Sequence, residues 1–429
     1  MKPLLKIDYL SNVWDVVASR SDDEKNYWAS RGLIPLGSKY PPTYYKGRPV
    51  PMEDIITIKF DPIHKSFTER SGSNVLLLGD TGDGKSLLMK LAWSVLADAG
   101  YWCIYIDSKS TDSGRARLPW SNNRLPPKMQ SKGIKLKHYV PYYAMNKMQK
   151  RAHNFNMFSL RLSNIYEKEM WMGLGATPVI ASKISNYINE SKGKSSIREL
   201  ARLMENLKDD KEIYSQSITG FRSLISNIED SHVVDEKLKE LDMFKDFEDG
   251  KSVCISYNKC SFGLMSFDVG EKINRVADSY NEMDRKTPVV FFLDDASLFA
   301  KEERSLLNYN FAVEQIKNIG FNYRALGICQ WLAVQTLNII DQDVKDGFQY
   351  KIITPKFAHP ETLRKINIPE VVVWLLKNNQ LRIDKNNHIM EYILVDQDNN
   401  VQRFYPFLPP CNHFKEVYFD NPAQTIEEE

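Results

Sequence analysis

VLLLGDTGDGKS, at residues 75–86, joins a run of four apolar residues to a glycine-rich loop that ends in lysine and serine. The spacing G-x-x-x-x-G-K-S lets backbone N–H groups surround phosphates, while the lysine reaches the β and γ phosphates and the serine hydroxyl ligates Mg²⁺. A strand pattern precedes the loop, and a helical pattern, Leu87 to Ala97, follows it, as such a site requires. The sequence therefore predicts a nucleoside triphosphate site.

The residues of this loop are predicted to have distinct roles. Lys85 is a candidate for both nucleotide binding and catalysis, because its ammonium group offsets the charge of the transferring phosphate. Ser86 is the candidate ligand of the Mg²⁺ ion that accompanies the nucleotide. The candidate nucleotide-binding residues are Gly79, Asp80, Thr81, Gly82, Asp83, Gly84, Lys85, Ser86 and Leu87.

The composition bounds the class of protein. A chain of 429 residues with 42% hydrophobic content suggests two or three domains with packed cores. Its apolar runs fall far short of the roughly 20 residues that cross a bilayer, so any membrane association is expected to be peripheral. The 5 cysteines form no C-x-x-C pair, which suits a reducing, cytoplasmic setting. Cys411-Asn412-His413 offers two metal ligands without a second pair, so no protein-ligated metal is expected there.

Several apolar runs predict the strands of the fold. Because these runs are apolar enough to be buried on both faces, they predict a central, mainly parallel sheet in an α/β protein. The strands are expected at Val75 to Leu78, Trp102 to Ile106, Val253 to Ser256, Val289 to Leu293, Ile328 to Val334 and Tyr350 to Ile353.

The same pattern suggests domain boundaries. We expect small appendages at 1–70 and 366–429, a nucleotide-binding core at 71–112 and 250–365, and a basic, then helical, insertion at 113–249. Within the insertion, apolar residues at three-to-four spacing predict helices at Ile197 to Leu207 and Val234 to Phe247. The proline-rich stretch from Pro41 to Pro51 indicates an extended arm or linker.

A second group of candidate residues follows the later strands. Asp294 ends a buried strand, where it would hold Mg²⁺ through water beside Ser86. Asp295 would then face the γ-phosphate and polarise the attacking water. Gln335 ends another strand, and its amide would sense the γ-phosphate or orient that water, whereas Gln330 lies within the strand and points elsewhere.

The charge is distributed unevenly, although the formal net charge is only +2. Residues 113–166 contain no acidic residue, and lysines and arginines alternate there with Trp120, Tyr139 and other aromatic residues. Such a stretch is a candidate DNA contact, because its cations release counterions from phosphates while its aromatic rings stack on bases or anchor the loop to the core. The alternative is a solvated basic loop or a subunit-contact surface. The cations are Arg115, Arg117, Arg124, Lys128, Lys132, Lys135, Lys137, Lys147, Lys150, Arg151 and Arg161.

Four segments together resemble the HerA/FtsK superfamily of RecA-like motor ATPases. The loop at 79–86 is similar to the family's G-x-T-G-S-G-K-S, and Ile106-Asp107-Ser108-Lys109 is similar to its I-D-P-K segment. Asp294-Asp295 corresponds to its Asp-Glu pair. The segment 324–335 resembles its R-A-x-G-I…A-T-Q strand, which places Gln335 on the sensor glutamine.

This resemblance implies a function and partners. The family's RecA-like core implies ATP and Mg²⁺ as cofactors, and its members are typically hexameric rings that pump or thread DNA in packaging, conjugation or DNA processing. It also implies an arginine supplied by a neighbouring subunit, for which Arg324 is the first candidate and Arg304 the second. Docking of such a ring to a portal, pore or loading protein is a further expectation.

Two departures from the family pattern leave alternatives open. Asp295 stands where the family usually has Glu, which leaves three alternatives to activation of water by Asp295: activation by Glu302, activation by Glu303, or slow activation. Thr336-Leu337 replaces an Arg-Pro pair. The alternatives to a DNA translocase are an ATPase that powers protein translocation or virion or filament assembly, and a nucleotide-gated binding module with little hydrolysis. A GTPase fits worse, because residues 258–261 lack the aspartate of the guanine-reading motif.

Overall fold

A computed structural model gives the conformation of most of the chain. It describes residues 33–45, 50–60, 74–109, 112–117, 133–145, 155–191, 196–207, 215–231, 233–235, 239–257, 260, 262–283, 287–300, 309–384, 389–409 and 411.

The strands, numbered in chain order, are β1 (Leu33–Ser38), β2 (Ile55–Lys59), β3 (Val75–Leu78), β4 (Trp102–Asp107), β5 (Leu136–Pro141), β6 (Asn156–Phe158), β7 (Ser252–Ser256), β8 (Val289–Asp294), β9 (Ile328–Val334), β10 (Tyr350–Ile353), β11 (Ile383–Asp384), β12 (Ile389–Met390), β13 (Tyr392–Val395) and β14 (Val401–Pro406). All six predicted strands are among them, each within one residue of its expected bounds.

The α-helices are α1 (Pro42–Tyr45), α2 (Lys85–Asp98), α3 (Tyr142–Met145), α4 (Lys168–Gly173), α5 (Pro178–Glu190), α6 (Ile197–Leu207), α7 (Ser215–Ser231), α8 (Met243–Glu248), α9 (Phe262–Met283), α10 (Phe311–Phe321), α11 (Gln342–Asp346) and α12 (Glu370–Lys377). Short 3₁₀ turns lie at Met52–Asp54, Asp112–Arg117, Leu162–Asn164, Ala296–Leu298, Tyr323–Leu326 and Pro360–Ile366.

One large sheet organises the described residues. Its strand order is β2-β1-β14-β13-β10-β3-β9-β8-β4-β7-β5-β6. From β10 to β6 every neighbouring pair is parallel, whereas β13, β14, β1 and β2 extend the sheet through antiparallel pairs. Since the carboxyl ends of parallel strands meet at one edge, the ends of β3, β9, β8 and β4 are successive neighbours there.

Both faces of the sheet are covered. Alternate residues of β3 face opposite sides, so that Leu76 and Leu78 belong to one core cluster and Val75 and Leu77 to the other. Helix α2 covers the second side, and α9, α10 and α12 cover the first. This layered arrangement explains why the central strands are apolar throughout instead of alternating with polar residues.

The stretch between β4 and β7 adds two features. Strands β5 and β6 join the edge of the same sheet, so part of this stretch is continuous with the central sheet. Helices α4 to α7 bury a separate apolar cluster, which receives Phe267 from α9 and Phe311 from α10.

Two local predictions were wrong. Val234 forms an isolated bridge with Leu160 instead of starting a helix, and the helix of that region begins only at Met243. Asp242 sets this start, because its carboxylate accepts a hydrogen bond from the Lys245 N–H and caps α8. The stretch from Pro41 to Pro51 is also not a free arm in its described part, since Tyr45 and Val50 are buried in the core. Within the described ranges, no helix is long and apolar enough to cross a membrane.

Candidate nucleotide-binding and hydrolysis site

The glycine-rich loop lies between the end of β3 and the start of α2. Gly82 and Gly84 have φ values of 85° and 79°, in the left-handed region that glycine enters without a steric penalty. These conformations let the chain turn within a few residues and begin α2 at Lys85. The first N–H groups of the helix have no acceptor within the helix and carry the positive end of its dipole. The loop and helix therefore form an anion-binding cradle.

Lys85 folds back over the loop. Its Nζ atom donates hydrogen bonds to the carbonyl oxygens of Gly79, at 2.6 Å, and Asp80, at 2.7 Å, and the residue is only 5% exposed. Burial lowers the pKa of the Lys85 ammonium below its ordinary value, and the positive charge of Lys109 lowers it further, against the opposing effect of nearby acids such as Asp294. The ammonium group is therefore in place for phosphate binding and is poorly solvated.

This lowered pKa gives a prediction for nucleotide affinity. As the pH rises through the lowered pKa of Lys85, the ammonium loses its proton and its charge, so ADP should bind more weakly, by at most about tenfold per pH unit for one linked proton. In the absence of nucleotide, the free energy of unfolding should instead increase with pH. The folded protein no longer bears the cost of burying a charged Lys85 once that residue has lost its proton. Fluorescence titration with ADP from neutral pH upward would measure the effect. A Lys85→Met variant should lack this component, and an identical slope in both proteins would contradict the assignment.

Asp83 fixes the loop from behind. Its carboxylate is fully buried and accepts hydrogen bonds from the Asp80 N–H, at 3.1 Å, and the Thr354 hydroxyl, at 2.8 Å. Lys356 lies 3.5 Å from its other oxygen and offsets its charge. Thr354 follows β10 and also faces Gly79, where an added Cβ would lie 2.1 Å from the threonine hydroxyl. An aspartate is therefore tolerated in a phosphate-binding loop because its charge is turned toward β10 and neutralised there.

A second brace comes from β13. The Tyr392 hydroxyl donates a hydrogen bond to the Asp83 carbonyl oxygen, and burial raises the pKa of that tyrosine above its ordinary value, so it remains a donor. A Cβ on Gly84 would lie 2.5 Å from the same hydroxyl. The loop thus requires glycine at this position both for its φ and for the close approach of Tyr392.

We expect Gly84→Ala to destabilise the fold by about 2–4 kcal/mol, from left-handed strain and from overpacking against Tyr392. Gly100→Ala is the matched control, since Gly100 has φ +87° and an added Cβ there meets nothing within 4 Å. That control should cost about 1 kcal/mol from backbone strain alone. Urea unfolding measures both, and Tyr392→Phe should recover part of the Gly84→Ala loss. Equal losses in the two alanine variants would refute the contact.

Asp294 lies at the end of β8 and is buried. Its Oδ2 atom accepts a hydrogen bond from the Tyr105 hydroxyl at 3.0 Å, and Ser108 donates to its carbonyl oxygen at 3.0 Å, so neighbouring β4 holds it in place. The carboxylate of Asp294 and the hydroxyl of Ser86 are the oxygen ligands that Mg²⁺ prefers. Among the described residues no group of three or more His, Cys, Asp or Glu forms a metal cluster. The donor set suits an ion that takes its remaining ligands from phosphates and water.

Asp295 is the centre of a polar cluster. It has φ 55°, a left-handed conformation that aspartate tolerates better than most residues. Its Oδ2 atom lies 2.9 Å from Lys109 Nζ, and its Oδ1 atom accepts hydrogen bonds from Gln335 Nε2 and Ser297 Oγ, both at 3.1 Å. The structure therefore brings together Asp295 and Gln335, which lie 40 positions apart in the sequence.

The two glutamines of β9 and its end have different environments. Gln330 is fully buried within the strand and donates from Nε2 to the Ile316 carbonyl oxygen at 3.2 Å, on the side of α10. Gln335 follows the strand and contacts Asp295 at the sheet edge. Only Gln335 lies beside the other candidate residues, as the sequence predicts.

Arg324 lies far from the nucleotide loop of its own chain. It belongs to the turn that precedes β9, at the amino edge of the sheet, and the 7 residues of β9 separate it from the carboxyl edge by about 20 Å. It therefore cannot reach the phosphates of its own site, and a role in the site of a neighbouring subunit stays a prediction. Arg304, Glu302 and Glu303 lie outside the described residues.

The basic stretch 113–166 is only partly described. Arg115 is buried, and Tyr139 and Phe158 pack in the core. These two aromatic side chains therefore anchor the stretch to the core and are not exposed for stacking on bases. His138 is also buried, with Nε2 2.8 Å from the Ser256 hydroxyl. The cations outside the described residues are Arg124, Lys128, Lys132, Lys147, Lys150 and Arg151, and Trp120 lies there too.

Several residues of the site were not identified from the sequence. The sequence pattern gives Lys109 no role beyond its place in a motif, and it does not indicate Thr354, Lys356 and Tyr392, which hold the loop. Their contacts join segments more than 180 positions apart, so local patterns carry no signal for them. The one available signal was Lys109 itself, a cation directly after a buried strand that ends at the same edge as the loop.

Three solved structures are similar to this chain to different degrees. VirB4 of Thermoanaerobacter pseudethanolicus is 12% identical over 87% of this chain and 96% of that chain, with a TM-score of 0.53. Plasmid coupling protein TrwB in complex with ADP and Mg²⁺ is 11% identical over 80% and 87%, with a TM-score of 0.50. The genome packaging NTPase B204 from Sulfolobus turreted icosahedral virus 2, with ATP-γS, is 10% identical over 81% and 100%, with a TM-score of 0.36.

The first two of these structures establish the fold class. The predicted α/β fold with a mainly parallel central sheet is confirmed, and VirB4 and the coupling protein TrwB share this fold. No protein-family model matches the sequence, and no curated protein sequence does.

Proposed function

We propose that this protein is an ATP-hydrolysing motor of the HerA/FtsK type that forms a ring and translocates DNA. The observation that carries the hydrolysis is the 3.1 Å contact between Gln335 and Asp295. These two residues directly follow β9 and β8, the next two strands after β3 in the sheet order. A nucleotide-binding loop alone does not require this pair. An acid and an amide held together beside the phosphate site are what water activation and γ-phosphate sensing need.

The described residues divide the work of hydrolysis. The backbone of the loop and the Lys85 ammonium hold the phosphates. Ser86 and Asp294 are the residues that would hold Mg²⁺, which when bound neutralises charge on the β and γ phosphates. Asp295 orients the attacking water and accepts its proton, while Gln335 holds the Asp295 carboxylate in position.

DNA is the proposed cargo for two reasons. The stretch 113–166 has eleven cations and no acid, a composition that favours binding to phosphate backbones. The plasmid coupling protein TrwB shares the fold. In a proposed six-membered ring, Arg324 would act on the site of a neighbouring subunit, because it lies at the sheet edge opposite its own site. We also propose a cytoplasmic setting and peripheral docking to a portal, pore or loading protein.

Steady-state ATP hydrolysis with and without double-stranded DNA tests this proposal, at low and moderate salt. We expect several-fold stimulation that weakens with salt, because the contacts release counterions, and that is absent in Lys85→Met. If DNA does not change the rate of hydrolysis, the ATPase would instead power protein translocation or the assembly of a virion or filament. Binding of nucleotide without hydrolysis would point to a nucleotide-gated module.

A charge-neutralised variant separates the two parts of the proposal. Replacing Arg124, Lys128 and Lys132 by glutamine should remove the stimulation by DNA and leave basal hydrolysis unchanged. A control variant neutralises two cations elsewhere, Arg198 and Arg202, which are exposed on α6. Stimulation that survives in the first variant would show that this part of the stretch does not contact DNA.

A further inference from the structure

Lys109 lies directly beyond the end of β4, where hydrogen bonds to Asp107 hold the backbone. It follows β4, and Asp107 at the end of that strand accepts hydrogen bonds from the Lys109 N–H, at 3.1 Å, and from the N–H and hydroxyl of Ser113, at 3.2 Å and 2.5 Å. The buried Asp107 therefore fixes the backbone from which the Lys109 side chain reaches across to β8.

The side chain of Lys109 forms an ion pair with a carboxylate that is much less exposed than the lysine. Its Nζ atom lies 2.9 Å from Asp295 Oδ2, while the lysine side chain is 44% exposed and that of Asp295 only 9%. Because the lysine side chain is half-exposed, its ammonium group can move along the solvent side of the site without being buried. While it stays, it engages one oxygen of the candidate base, and Gln335 and Ser297 engage the other.

Lys109 also acts electrostatically on the phosphate-binding lysine. Its positive charge is one of the causes that lower the pKa of Lys85, which means that the two ammonium groups are close enough to repel each other. A triphosphate held by Lys85 would place its terminal phosphate between the loop and Asp295. That phosphate would attract Lys109 and repel the Asp295 carboxylate, whereas a diphosphate would leave the ion pair intact.

We infer that Lys109 moves from Asp295 to the terminal phosphate of a bound nucleoside triphosphate, and that this exchange frees the Asp295 carboxylate for the attacking water. Lys109 then distinguishes ATP from ADP, because only ATP supplies the oxygen atoms to which it transfers. A phosphate oxygen accepts a charge-assisted hydrogen bond from an ammonium at least as well as a carboxylate does. This inference rests on the proposed function for the identity of the nucleotide, and not on DNA as cargo.

Binding measurements with two nucleotides test the inference. The full chain is titrated with Mg²⁺ and either ADP or a non-hydrolysable ATP analogue. Lys109→Met should weaken the analogue about tenfold more than ADP, because one charge-assisted contact is lost only with the triphosphate. Lys109→Arg should recover most of the lost affinity for the analogue, since arginine keeps the charge.

Lys356→Met is the matched control for this test. Lys356 is similarly exposed, at 38%, and also pairs with an acid of the site, but it lies behind the loop at Asp83. Its loss should change the affinities for both nucleotides by the same factor. The inference is overturned if Lys109→Met changes both affinities equally or neither. A wild-type protein that binds no nucleotide would instead refute the proposed function, and one that ignores DNA would leave the role of Lys109 intact.

Discussion

Lys85→Met should lower ATP hydrolysis by about 100- to 1,000-fold, the loss that typically follows removal of one group that stabilises the charge of the transition state. The buried Lys85 ammonium donates hydrogen bonds to two loop carbonyl oxygens. It also interacts electrostatically with nearby acids such as Asp294. A methionine of similar length keeps the packing but offers no charge to the phosphates. Phosphate release by the purified protein measures the effect.

Thermal unfolding supplies the control for this variant. Without nucleotide, Lys85→Met should unfold close to the wild-type temperature, because the substitution removes two hydrogen bonds but also a poorly solvated charge. The stabilisation that we expect ADP and Mg²⁺ to give the wild-type protein should be largely lost. A variant that still hydrolyses ATP at the wild-type rate would show that the loop does not hold the reacting phosphates.

The parallel core of the fold was predictable because its strands are buried on both faces. A run such as Val289 to Leu293 is apolar throughout, and only a strand covered by helices on both sides requires that. Strand β5 was not predicted, because its sequence, LKHYVP, mixes a lysine, a buried histidine and a proline at the sheet margin. The strand order and the antiparallel extension also depend on contacts between distant segments, which local patterns do not encode.

The candidate site divides in the same way. Residues at or directly after strand ends, such as Asp294 and Gln335, could be placed at one edge because the strand ends of a parallel sheet meet there. The substitution of Asp83 for the family's serine gave no hint of its partners in the sequence. Its explanation needs Thr354 and Lys356, which follow β10, a strand that only the folded sheet places beside the loop.

The backbone at Asp295 accounts for an aspartate where the sequences that this chain resembles have glutamate. Its φ of 55° and ψ of 44° are left-handed, and short polar side chains such as Asp and Asn enter that region at the lowest cost after glycine. A glutamate would add a methylene and backbone strain in the same turn. The shorter acid therefore suits this conformation, and its contacts with Gln335 and Lys109 hold it at the sheet edge.

Asp295→Asn should reduce hydrolysis by about 100-fold or more, the typical contribution of a general base, while ADP affinity stays close to that of the wild type. Asparagine tolerates the left-handed φ and its amide oxygen still accepts from Gln335, so the backbone and the neighbouring strand should not move. Loss of the partly exposed pair with Lys109 should cost less than about 1 kcal/mol of stability. Single-turnover hydrolysis separates the chemical step from nucleotide binding and product release.

Asp295→Glu is the informative partner of this variant. If the carboxylate is the base, the glutamate variant should hydrolyse ATP faster than the asparagine variant, although left-handed strain of about 1–2 kcal/mol should lower its stability. If asparagine and glutamate variants both keep wild-type rates, Asp295 is not the base, and Glu302→Gln and Glu303→Gln become the variants to test. If the glutamate variant hydrolyses ATP slowly but is as stable as the wild type, backbone strain is not the cause. The position of the carboxylate would then limit the reaction.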